Sequence, residues 1–148
     1  EERLQNVITG LELIASEYDI PIIYPIHPRT KKRLKQFGIK ITNNNIKLIE
    51  PLDYLSFLRL EKSAKLILTD SGGIQEEACI MKIPCVTLRY NTERPETIEV
   101  GANILAGTEP ESILEKTKIM LERERNWPNP FGDGKASQRI IEIIQSIE

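Results

Sequence analysis

The chain has 148 residues, 40% of them hydrophobic, with 20 basic and 22 acidic side chains and a formal net charge of −2. That length suits one domain with a proper core, and the charge balance offers neither the basic field that draws nucleic acid nor a charged tail. No apolar run reaches the ~18–20 residues of a membrane span, Glu1-Glu2-Arg3 is not a signal peptide, and a cytoplasmic protein is expected.

Leu4, Val7, Ile8, Leu11 and Ile14 recur at helical intervals and predict an amphipathic helix from about Glu2 to Glu17. Pro21 to Ile26 is a β-type run, followed by a basic helical stretch from Thr30 to Phe37 that Gly38 can close. Ile46 to Ile49 then predicts a strand, Asp53 to Ser63 a helix, Lys65 to Leu68 a strand and Gly73 to Met81 a helix. Cys85 to Leu88 is the next strand, a turn leads into Arg94 to Val100, and a short strand lies around Asn103 to Ala106. Helices near Glu111 to Arg123 and Lys135 to Ile147 close the chain on either side of the breaker-rich segment 126–134. Strands alternating with helices predict an α/β fold, a Rossmann-like parallel sheet with helices on both faces and right-handed crossovers. In such sheets ligands collect at the carboxyl ends of the strands.

The segment Thr69-Asp70-Ser71-Gly72-Gly73-Ile74-Gln75-Glu76-Glu77 lies at one such end. Two glycines where a strand turns into a helix let backbone N–H groups approach a phosphate, and the helix N-terminus adds partial positive charge. Ser71 supplies a hydroxyl there, and Glu77 leans back toward the same end, where a carboxylate can accept bonds from a sugar's hydroxyls. The plainer alternative is a turn with an N-cap serine and a solvated glutamate. His27, the only histidine, follows the first visible strand and can donate to a phosphate oxygen, or is structural or simply exposed. Arg94, stiffened by Pro95, can clamp a diphosphate bidentately or form a surface pair with Glu93 or Glu96. Phe57 shares helical spacing with Tyr54 and Leu58, which suggests core packing first and contact with a base second.

The basic run Arg29-Thr30-Lys31-Lys32-Arg33 reads as a solvated helix face whose nearness to His27 can help attract an anion. Gly132-Asp133-Gly134 reads as a turn with Asp133 near the start of the final helix. Cys79 and Cys85 have no second pair and one histidine at most to complete a metal site, so burial is expected, with neither disulfide framework nor metal.

His27 within Tyr24-Pro25-Ile26-His27-Pro28, the Thr69–Glu77 segment, Thr92–Glu96 and Asn129–Ala136, in that order and spacing, resemble UDP-N-acetylglucosamine 2-epimerases over essentially the whole chain. The resemblance implies a two-domain GT-B architecture in which residues 1–148 are the UDP-binding carboxy-terminal lobe. It also implies that the chain lacks that lobe's first strand, which in the family carries a histidine-arginine loop just upstream of the opening helix, and the whole amino-terminal domain. By resemblance Ser71, Gly72 and Gly73 bind the diphosphate, Glu77 the ribose hydroxyls and Arg94 the phosphates. His27, the catalytic candidate, binds the phosphates close to the leaving-group bond. Leu52 to Phe57 hold the uracil, with Leu52 acting through its backbone, where some relatives have glutamine. The family inverts carbon 2 of the sugar by eliminating UDP and adding it back to the opposite face, with acidic side chains of the other domain moving the proton.

The implied ligands are UDP-GlcNAc and UDP, with no cofactor, no metal, no nucleic acid and no membrane, and the full-length protein is expected to be a homodimer. The product of the full-length enzyme would be UDP-ManNAc, while this lobe alone is expected to bind UDP weakly and to catalyse nothing. A hydrolysing relative that releases UDP and N-acetylmannosamine, and a stand-alone nucleotide-binding module, remain as alternatives.

Overall fold

The apolar stripe of the opening segment forms helix α1 (Glu2–Glu17), which buries Ile8, Leu11, Ile14 and Ala15. Strand and helix then alternate: β1 (Ile22–Pro25), α2 (Pro28–Gln36), β2 (Ile46–Ile49), α3 (Tyr54–Ser63), β3 (Ile67–Thr69) and α4 (Gly72–Ile80). The second half continues with β4 (Cys85–Thr87), α5 (Pro95–Glu99), β5 (Asn103–Leu105), α6 (Pro110–Leu121) and α7 (Ala136–Ser146) in a computed structural model that describes residues 1–147. Each expected element is present. α2 begins earlier than its basic run suggests, because Pro28 suits the first helical position and His27 caps the start. It ends where Gly38 takes φ +67°.

All pairing is parallel, as the alternation requires. β1 lies beside β2 with Ile22 opposite Ile46, and β3, β4 and β5 lie side by side with Ile67 opposite Cys85 and Cys85 opposite Asn103. The sequence leads one to expect a continuous sheet, whereas the ladder comes in a two-stranded and a three-stranded piece. The physical reason is a cavity of about 820 Å³ between them, lined by residues of β1 and β3, by Leu11 and Ile14 of α1 and by Phe57 and Glu61 of α3. β1 and β3 each have only one partner strand, so each leaves one edge unpaired.

β4 is buried at all three positions, as befits a central parallel strand covered on both faces. On one side Val86 packs with Ile14, Ile113 and Met120, and on the other Cys85 packs with Ile67, Ala78 and Ile83. Cys79 and Cys85 are both buried and free, as expected, and burial pushes the Cys85 thiol up to about 12. The far end of α4 is fastened by Trp127, 3% exposed, whose indole Nε1 donates to the Cys79 carbonyl at 3.0 Å. Lys82, at φ +62°, donates from Nζ to the Trp127 carbonyl. In the loop beyond, Asp133 accepts from the Lys135 amide at 3.1 Å and pairs with Arg139 at 2.6 Å, which ties the turn to the start of α7. α7 buries none of its residues and leaves Ile140, Ile141, Ile143 and Ile144 more than half exposed. Among the described residues no helix is long and apolar enough to cross a membrane.

Candidate functional site

At the carboxyl end of β3 the chain turns at Ser71 (φ −89°, ψ 127°), which stands at the N-cap of α4 without making a side-chain cap bond. Its amide donates to Thr69 Oγ1 at 3.0 Å and fixes the turn, while its own hydroxyl has no partner among the described residues. The amides of Gly72 and Gly73 belong to the first turn of the helix, where no intrahelical acceptor exists, and none replaces it among the described residues. Ser71 and Gly72 are half-buried and Gly73 is exposed, so the amides open to solvent.

The two glycines are not needed for the turn itself. Neither takes a positive φ. A Cβ on Gly72 would meet nothing nearer than Arg94 Cζ at 3.7 Å, and one on Gly73 only Ser71 Oγ at 3.9 Å. Both are ordinary contacts, so what the missing side chains provide is clear space in front of the amides.

Arg94 lies across this helix start. Its Nε pairs with Glu76 of α4, its Nη1 donates to the Glu93 carbonyl at 2.9 Å, and its Nη2 has no partner among the described residues. The expected surface pair with Glu93 or Glu96 does not form: the Glu93 carboxylate sits 3.7 Å from Arg89 instead. Glu76 therefore holds the guanidinium beside the open amides with one edge free, a geometry suited to gripping an oxyanion.

His27 is exposed, and its Nδ1 accepts the Arg29 amide at 3.2 Å as the cap of α2. An accepting Nδ1 places the ring proton on Nε2, which becomes a donor. His27, Ser71 and Phe57 line the same cavity, together with Thr30 and Asp70. Phe57 is half-buried there and belongs to none of the packed apolar clusters, while Tyr54 and Leu55 are 64% and 66% exposed. This face of α3 fronts the cavity rather than one of the packed apolar clusters. Leu52, 41% exposed, lies in the loop entering α3 and outside the lining of that cavity.

Glu77 is half-buried, and its Oε1 accepts the Tyr54 hydroxyl at 3.1 Å, a bond that holds the Tyr54 phenol above its usual range. It is thus tied to α3 rather than merely solvated. Sequence reasoning missed two features around it. Glu61 is only 4% exposed with neither carboxylate oxygen partnered, and burial, aided by the Glu77 charge, pushes its carboxyl up to about 7. Gln75, fully buried behind the open amides, bonds to Thr92 and Asn103. The available signal for Gln75 was a polar residue one turn inside the helix, on the same face as Gly72.

Together these groups present backbone amides, a hydroxyl, a guanidinium edge and an imidazole N–H around the junction of β3 and α4. That set suits a dianionic group such as a diphosphate.

The family model described as UDP-N-acetylglucosamine 2-epimerase matches residues 1–145. The UDP-N-acetylglucosamine 2-epimerase of Methanocaldococcus jannaschii is 59% identical over 147 residues, 97% of this chain and 40% of that protein. A crystal structure of the M. jannaschii enzyme in complex with UDP-GlcNAc and UDP matches with a TM-score of 0.90 at 58% identity, over 98% of this chain and 41% of that one. The Neisseria meningitidis enzyme bound to UDP-GlcNAc matches with a TM-score of 0.83 at 34% identity, over 99% and 41% of the two chains. The chain thus spans about 40% of the length of the curated relatives it matches.

Proposed function

The chain belongs to the UDP-N-acetylglucosamine 2-epimerase family, and from that premise we propose that it is the UDP-binding lobe of a longer enzyme that interconverts UDP-GlcNAc and UDP-ManNAc. The observation that carries this reading is the open pair of amides at Gly72 and Gly73 with the Arg94 guanidinium across them. Ser71, Gly72, Gly73 and Arg94 hold the diphosphate, and Nε2 of His27 donates to the phosphate next to the sugar. Glu77, released from Tyr54, accepts from the ribose hydroxyls, while Phe57 and the backbone at Leu52 contact the uracil.

In the reaction a base takes the proton from carbon 2, the bond between carbon 1 and the UDP oxygen breaks, and UDP departs with the electron pair. Re-addition of UDP and return of a proton to the opposite face gives the epimer. The proton-transfer groups lie in the other domain, by resemblance. This lobe stabilises the negative charge that grows on UDP, through preset donors and the helix N-terminus. Closure of the other domain over the site would exclude water and a hydrolytic end to the intermediate.

The gap between β1 and β3 supports the further reading that the lobe holds one more strand, ahead of residue 1, in a sheet ordered β2, β1, added strand, β3, β4, β5. Such a strand feeding α1 and then β1 makes one right-handed crossover unit. It would also bring donors near the unpartnered Glu61 carboxyl.

Product analysis of the full-length protein tests the reaction. Incubation with UDP-GlcNAc should give UDP-ManNAc with no build-up of free UDP. Accumulating UDP and N-acetylmannosamine would replace this reading by the hydrolysing one. Turnover by residues 1–148 alone would overturn the division of roles between the domains.

A further inference from the structure

The phosphate-facing elements α4 and the Arg94 loop are joined behind the site by a closed ring of hydrogen bonds. The Arg94 amide donates to Thr92 Oγ1 at 3.0 Å, and that hydroxyl donates to Gln75 Oε1 at 2.5 Å. Asn103 Nδ2 donates one hydrogen to the same Gln75 oxygen at 3.2 Å and the other to Thr97 Oγ1 at 3.0 Å. Thr97 Oγ1 then donates to the Arg94 carbonyl at 2.7 Å, closing the ring on the residue where it began. Asn103 Oδ1 is held in turn by the Thr87 hydroxyl of β4 at 2.8 Å.

Gln75 and Thr97 are fully buried and Asn103 is 3% exposed, so the two bonds that join these three residues form out of water, where an unmade one is costly, while those of Thr92 and the Arg94 backbone are partly buried. The donor directions are mutually fixed, because each hydroxyl accepts one bond and donates the next. Gln75 Nε2 meanwhile has no partner, and a buried donor left unmade is tolerated here for the sake of the residue's oxygen. The ring pins both polar groups of the Arg94 backbone, at φ −128° and ψ 59°, a conformation outside the helical and extended regions. Gln75 sits one turn along α4 from Gly72, so the helix that presents its first amides at its N-terminus carries the hub of the ring on the flank it turns toward the Arg94 loop.

We propose that Gln75, Thr92, Thr97 and Asn103 are positioning residues that set the Arg94 guanidinium at a fixed distance from the Gly72 and Gly73 amides, making two separate segments one diphosphate socket. The inference rests on the reading of Arg94 as a phosphate ligand. A purely structural ring would hold α5 and β5 against α4 without affecting ligand affinity through Arg94.

The test is a double-mutant cycle in the full-length protein, with UDP affinity read by calorimetry and thermal unfolding followed in parallel. Thr92→Val and Thr97→Val keep shape and remove the hydroxyl, and each should weaken UDP binding by about three- to tenfold. Thr92→Ser and Thr97→Ser, which restore the hydroxyl, should recover most of that affinity. In an Arg94→Ala background the valine changes should cost no further affinity, because the group they position is gone. If Arg94→Ala itself leaves UDP affinity unchanged, the phosphate reading of Arg94 fails. If Arg94→Ala weakens binding but the valine variants do not, or if their losses add to it in full, the positioning role is overturned. Thr92 is only half-buried, so its variants keep the test decisive should Thr97→Val fail to fold.

Discussion

In the three-stranded half, β4 is buried on both faces, and Asn103 of β5 links its Thr87 to Thr97 of α5. In the two-stranded half, β1 keeps an unpaired edge, Ile23 is 39% exposed, and the buried Glu61 across the cavity finds no donor. The contrast teaches that the open amides and the guanidinium across them are built from local chain: Ser71, Gly72, Gly73, Arg94 and their supports fall between Thr69 and Asn103, while His27 comes from the other half. Such a cluster of donors can therefore form beside a sheet whose ladder is interrupted.

The sharpest way to break this comparison is to complete the sheet. Lengthening residues 1–148 at the amino end by the native strand should raise the free energy of unfolding by about 5 kcal/mol, the worth of two or three newly buried apolar side chains. Urea unfolding of both lengths checks it, and equal midpoints would mean that the gap is not a strand site. In the shorter chain Glu61 should make stability pH-dependent. Its carboxyl is raised from 4.5 to about 7 in the fold, so its contribution is full below 4.5 and is lost as pH rises through about 7. Glu61→Gln should remove that loss, on the order of 1–3 kcal/mol between pH 5 and 8, in unfolding curves at the two pH values.

On the socket side, Arg94→Ala should weaken UDP binding by ~1–3 kcal/mol through loss of a charge-assisted contact. An unchanged dissociation constant would return Arg94 to its pair with Glu76. Gly72→Ala separates fold from function most cleanly. The added methyl meets only ordinary contacts, so thermal stability should hold or rise by about 0.5–1 kcal/mol, while UDP affinity falls by about 1–3 kcal/mol as the methyl enters the ligand's space. Parallel loss of both would contradict the open-space account of the glycines. The smallest effect belongs to Leu52→Ala, which should change UDP affinity by less than about 0.5 kcal/mol, since the side chain is 41% exposed and lies outside the lining of the cavity.

The elements were legible because their signals are local: the stripe of α1, Gly38 after α2, and the helical run from Asp53, which the structure shows begins with Asp53 Oδ1 accepting the Ser56 amide at 3.1 Å. The strand-turn-helix at Ser71 to Gly73 was legible for the same reason. What escaped was decided across space. Glu76 as the partner of Arg94 lies 18 positions away, and the bond between Asn103 and Gln75 spans 28. Spacing likewise suggested that Phe57 packs in a core, but its face of α3 fronts a cavity that no local pattern announces. The division of the sheet left no mark in the local pattern, because each strand carries the apolar pattern of a neighbour-rich strand whether or not the neighbour is there; only the family resemblance, which implies a missing first strand, pointed to it.

The anchoring of α4 at its rear by Trp127 has a thermodynamic corollary. A short helix gripped at one end by an indole and at the other by a buried glutamine has little freedom left to lose when an anion arrives. Most of the ordering entropy was incurred when the polypeptide collapsed, long before any nucleotide approached. Encounter should then be limited by diffusion and charge steering rather than by rearrangement of the helix, with heat released on contact and only a modest entropic penalty from the protein side.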